Sequence, residues 1–62
     1  MKPVKASELK PGDRIAISRT CGLIVVLAVS RIEQMPYGLL EIQTGDTALH
    51  IICKDEYILA DR

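Results

Sequence analysis

The chain has 62 residues, 48% of them apolar, with two Tyr and no Trp or Phe. Eight basic residues balance eight acidic ones, so the formal net charge is zero. These values exclude several domains, a disordered chain and a strongly basic nucleic-acid binder. A chain this short buries only about 60% of the surface it exposes when unfolded, so its aliphatic core must be used efficiently. The opening Met1-Lys2-Pro3-Val4-Lys5 carries no apolar leader, and the longest apolar run, Leu23 to Val29, is too short to span a bilayer. Together with two cysteines, this predicts a cytoplasmic, reducing setting with free thiols.

In chain order, Ser7-Glu8-Leu9 predicts one helical turn near residues 7–10, which Pro11 cannot continue. Lys10-Pro11-Gly12-Asp13 places Pro second and Gly third, the arrangement of a type II turn with positive φ at Gly12. Arg14 to Ser18 spaces Ile15 and Ile17 at period two and reads as a half-buried strand. Arg19-Thr20-Cys21-Gly22 reads as a loop. Leu23 to Glu33 is the longest strand, and its better apolar set changes parity near Ser30. A bulge or sharp bend accounts for that change. Gln34 to Gly38 forms a second loop.

Leu39 to Thr44 and Thr47 to Cys53 flank Gly45-Asp46 and read as a hairpin on a two-residue turn, with positive φ at Gly45. This folding sets Ile42 opposite Leu49 and Leu40 opposite Ile51 on the inner face. Glu41 then meets His50 on the outer face. Lys54-Asp55-Glu56 is a polar turn before a closing strand, Tyr57 to Ala60. The inward set follows as Leu9, Ile15, Ile17, Val25, Leu27, Val29, Leu40, Ile42, Leu49, Ile51 and Ile58. Five strands, one long and bent, predict a single all-β domain over residues 1–62, a small closed or partly open barrel.

Leu9-Lys10-Pro11-Gly12-Asp13 entering the first core strand, the long strand through Val25, Leu27 and Val29, the Gly45-Asp46 hairpin and Asp55-Glu56-Tyr57-Ile58 together resemble the SH3-like small barrels. The resemblance covers nearly the whole chain and is of the stand-alone bacterial or phage type. It implies a five-stranded barrel and supplies no binding residues. The aromatic groove of peptide-binding SH3 domains has no counterpart beyond Tyr37 and Tyr57.

Catalytic residues, metal ligands and cofactors are not expected. Cys53, sharing parity with Leu49 and Ile51, reads as buried, and His50 as outward, so the two face apart and form neither a metal site nor a nucleophile–base pair. The carboxylates sit in turns or on the outer face, and the small size leaves little room for a substrate pocket. The function read from the chain is therefore protein binding, through self-association as a homodimer or as an accessory subunit. The candidate contacts are Met35 and Tyr37 in a loop, and Ile24, Val26 and Ile52 on an apolar stripe that includes Ala28, Leu39 and Ala48. The alternative is a nucleic-acid-binding barrel using Lys2, Lys5, Lys10, Arg14, Arg19 and Arg31. Residues 1–31 carry a net charge of plus four and residues 32–62 minus four.

Overall fold

The computed structural model describes all 62 residues. Its strands are β1 (Lys2–Lys5), β2 (Arg14–Ser18), β3 (Ile24–Met35), β4 (Leu39–Thr44), β5 (Leu49–Cys53) and β6 (Tyr57–Ala60). Single 3-10 turns occupy Ala6–Glu8, Thr20–Gly22 and Pro36–Gly38. The turn at Lys10 to Asp13 forms as its residues dictate. Gly12 has φ 98°, and the Asp13 N–H donates to the Lys10 carbonyl at 3.0 Å. The Asp13 carboxylate in turn accepts the Lys10 N–H at 2.9 Å, locking the turn from both sides.

All six strands belong to one antiparallel sheet in the order β1-β6-β2-β3-β4-β5. The expectation of a five-stranded barrel, closed or partly open, is corrected in strand number and in closure. A sixth strand, β1, lies against β6, where Lys-Pro-Val-Lys gave no alternation to read. The sheet is also open, because β1 and β5 do not pair. One bond joins the turn after β1 to the residue after β5, Ser7 N–H to the Lys54 carbonyl at 3.0 Å, while Ala6 N–H to Glu56 at 2.8 Å continues the β1–β6 pairing and Lys54 N–H to Gly38 at 2.9 Å the β4–β5 pairing.

The parity change in β3 is a bulge. Val29 pairs with Thr44 and Arg31 with Gln43, leaving Ser30 as the extra residue. Its hydroxyl donates to the Gln43 carbonyl at 3.0 Å. The bulge lets Val25, Leu27 and Val29 face inward before it and Ile32 after it. The type II turn is stitched onto this bend: Gly12 N–H donates to the Val29 carbonyl at 2.8 Å, and Val29 N–H to Asp13 at 2.7 Å.

The core consists of Val4, Ala6, Leu9, Ile15, Val29, Leu40, Ile42 and Ala60, with Ile17, Ile32, Ile52 and Ile58 packed against it. Val25 and Leu27 are half-buried. Leu49 and Ile51 do not belong to it; they are 55% and 52% exposed. The hairpin register is one residue away from the expected one, pairing Gln43 with Leu49, Ile42 with His50, Glu41 with Ile51 and Leu40 with Ile52. A one-residue slip turns a whole strand over, so His50 and Ile52 face in while Cys53 faces out and is exposed.

The cause is a three-residue loop, Gly45-Asp46-Thr47. Thr47, not Gly45, takes the left-handed conformation, at φ 66°. Asp46 holds it in place. Its carboxylate accepts the Thr44 hydroxyl at 2.5 Å and the Ala48 N–H at 3.2 Å, and pairs with Arg19. Thr44, 1% exposed, thereby keeps its hydroxyl satisfied in the core.

Candidate protein-interaction surface

Three apolar regions reach the surface, each placed there by a specific backbone feature. The first is the β3–β4 connection. Pro36 starts a tight turn, and Tyr37 and Gly38 both adopt positive φ, 65° and 72°. This backbone throws the Tyr37 ring outward, so the residue is 99% exposed, while Met35 stays half-buried. Beside it, between the Ala6–Glu8 turn and the adjoining ends of β3 and β4, lies a cleft of about 510 Å³ lined by Leu9, Ile32, Gln34, Met35, Leu39 and Lys54 among others. The Lys54 stem covers Gly38, where an added Cβ would sit 3.6 Å from Lys54 Cε.

The second region is the outer face of β2 and β3. Leu23 and Ile24 are each 64% exposed and Val26 40%. Val26 pairs with Ala16 on that face. On the other side of β2, Ile15 meets Ala60, and β6 turns Leu59 outward with Tyr57.

The third region is β5. As the last strand of the sheet it has a partner on one side only. Its outward residues are Leu49, Ile51 and Cys53. Sequence reasoning assigned Leu49 and Ile51 to the core and therefore missed them as surface. The one signal available was that β5 is apolar at both parities, so hydrophobicity alone could not choose the buried face.

Of the residues expected to touch a partner, Ile24 and Val26 are outward together and Tyr37 projects from the β3–β4 connection. Ile52 is withdrawn, because the register slip packs it against the core. Leu39 and Ala48 of the same stripe are half-buried, so the stripe is not one continuous surface.

The basic residues are dispersed. Arg14 lies 3.9 Å from Asp61, Arg31 contacts Glu33 at 3.2 Å and Glu41 at 3.6 Å, and Arg19 pairs with Asp46. Pairing across the two sequence halves thus offsets part of their charge asymmetry, with Lys2, Lys5 and Lys10 outside these pairs. Lys2 and Lys5 lie on β1, and Lys10 begins the type II turn.

Two carboxyls are held below their ordinary pKa. Asp13 is lowered first by the Arg62 side chain, whose Nη2 sits 2.8 Å away, and then by the Lys10 N–H. Asp46 is lowered first by the Thr44 hydroxyl, with the Ala48 N–H and Arg19 adding to it against partial desolvation. Both groups fasten turns. Cys21, at φ 65° in the β2–β3 connection, and Cys53 are free and exposed. The buried Nε2 of His50 has no hydrogen-bond partner. Since His50 faces inward and Cys53 outward, the separation expected of them holds with their faces exchanged. Against known proteins, the chain matches no family model, no curated protein and no solved structure.

Proposed function

We propose that this chain is a non-enzymatic protein-binding module that docks through its outer sheet surface. The observation that carries the reading is the placement of Leu49 and Ile51, more than half exposed, on the outer face of an edge strand. Water-exposed aliphatics cost little one at a time, but paired on an unpartnered strand they form a contact site. The connectivity, a meander from β2 to β5 with β6 returning to β2, supports an SH3-like reading in which β1 is an addition and the seam stays open. Free thiols at Cys21 and Cys53 fit a reducing, cytoplasmic setting.

The nucleic-acid alternative draws less support, because Arg14, Arg19 and Arg31 each sit beside a carboxylate. The two readings separate on salt. A protein contact through Leu49 and Ile51 persists in high salt, whereas phosphate contacts weaken steeply. Tagged parent and the Leu49→Lys variant, expressed in the native host, should differ in a salt-resistant partner that the parent retains and the variant loses. Capture of nucleic acid by both, released by salt, would refute the protein-docking reading.

A further inference from the structure

The two sheet edges differ in kind. β1 reads Lys2-Pro3-Val4-Lys5, with charges and a proline that deter strand addition. β5 reads Leu49-His50-Ile51-Ile52-Cys53, with no Lys, acid, proline or bulge. It is the unguarded edge.

Its hydrogen-bonding groups are also available. Thr44 N–H donates to the Ala48 carbonyl at 3.1 Å, and Lys54 N–H to Gly38 at 2.9 Å, so the even-numbered residues of this stretch bond toward β4. Antiparallel alternation then directs the N–H and C=O of Leu49 and Ile51 to the open side. Neither residue has a backbone bond outside the ladder, whereas the Cys53 carbonyl already accepts from Glu56 at 3.0 Å. The residues with free backbone groups are those with exposed aliphatic side chains.

We propose that β5 pairs antiparallel with β5 of a second copy, Leu49 opposite Ile51, to form one sheet across the two copies. The inference rests on the protein-docking reading and names the partner. A two-fold axis perpendicular to the sheet keeps each residue on its own face only when opposing residues share parity. Leu49 opposite itself would set Ile51 against Thr47, whose N–H already donates to the Thr44 carbonyl at 2.9 Å, so two registers are left: Leu49 opposite Ile51, or Ile51 opposite itself. Charge separates them. The first brings the turn holding Asp46 to the Lys54 turn of the second copy, and does so twice. The second brings Asp46 toward Glu56. Lys54 belongs to none of the ion pairs within the chain, so it is free to meet that carboxylate. In the chosen register, Leu49 and Ile51 of both copies form one apolar cluster on the outer face, and His50 meets its own counterpart at the axis.

The test combines assembly with cross-linking. Sedimentation of the parent should show a concentration-dependent dimer. Ile51→Lys, at an exposed position, should keep the parent's circular dichroism and weaken association at least tenfold. Leu49→Lys is the substitute if that variant misfolds. In a Cys21→Ser, Cys53→Ser background, His50→Cys should cross-link to itself under diamide. A non-hydrogen-bonded pair at the axis sets the Cα atoms about 4.5 Å apart, within disulfide reach. Ile51→Cys in the same background should cross-link far less.

A parent that is monomeric at every concentration, a dimer indifferent to Ile51→Lys and Leu49→Lys, or preferential cross-linking of Ile51→Cys each overturns the proposal. A monomeric parent that still holds an unlike protein through Leu49 removes self-pairing and leaves the docking reading standing. A monomer that holds nothing removes both.

Discussion

At Gly45 and Asp46 the decisive chemistry lies in the aspartate. A Gly-Asp pair between apolar runs reads as a two-residue turn because glycine takes positive φ freely. Here Gly45 does not need that freedom, and a Cβ added to it meets only the Ala28 carbonyl, at 3.8 Å. Asp46 instead satisfies the buried Thr44 hydroxyl and the Ala48 N–H. Gly45→Ala should therefore leave the thermal midpoint almost unchanged, while Asp46→Ala lowers it clearly; equal small shifts would contradict this loop. Burial makes a parallel contrast. Ile42 is 0% exposed and Ile51 52%. Truncating Ile42 to Ala should cost about 2–5 kcal/mol, and truncating Ile51 about 0.5 kcal/mol or less in the monomer. Urea denaturation at low protein concentration separates the two.

Among the elements, legibility followed the strength of local signals. β2 was readable to the residue because Ile15 and Ile17 alternate with small or polar neighbours and a Pro-Gly turn precedes them. The bulge was readable because an apolar strand rarely changes its inward parity without one. β1 was not, since its two lysines flank a single inward Val4 and its partner β6 is far away in sequence. β5 was misread because Leu49 and Ile51 make a better-looking core face than His50 and Ile52. The buried face was instead fixed by the Asp46 loop geometry, which no periodicity reports. For the candidate site the consequence is direct: Ile24, Val26 and Tyr37 could be picked out from sequence, but Leu49 and Ile51 became surface only through the register. β3 offers the sharpest test at this scale. Ser30→Ala removes one hydrogen bond at an exposed position and should cost about 1 kcal/mol. Deleting Ser30 removes the bulge itself, so Val29 and Ile32 can no longer both face inward, and cooperative unfolding in urea should be lost.

The whole molecule is an open sheet whose turns are tied to one another, and two of these ties depend on carboxylates. Arg62 Nη2 reaches the Asp13 carboxylate at 2.8 Å and the Glu8 carbonyl at 2.7 Å, tying the chain beyond β6 to the turn before β2. Asp46 ties the β4–β5 loop to Arg19 in the β2–β3 connection. Both carboxyls have folded-state pKa values lowered from the ordinary 3.8, so the folded state prefers their ionised forms. Unfolding raises their proton affinity. The stabilisation they supply is therefore complete at pH values well above 3.8 and disappears as pH falls through the lowered folded values. Stability should be flat with respect to these two groups above about pH 5 and fall with acid below it. Asp13→Asn and Asp46→Asn should each be less stable than the parent at neutral pH. Each should also show a shallower loss between about pH 5 and pH 2, because its share of the proton linkage has been removed. Arg62→Ala provides the internal control. It leaves the Asp13 carboxyl in place but takes away the largest cause of its lowered pKa, so the folded value moves back toward 3.8 and this variant too should lose less stability than the parent between about pH 5 and pH 2. Urea midpoints measured across this pH range for the parent and the three variants decide the matter, and four superimposable curves would show that neither turn is held by its carboxylate.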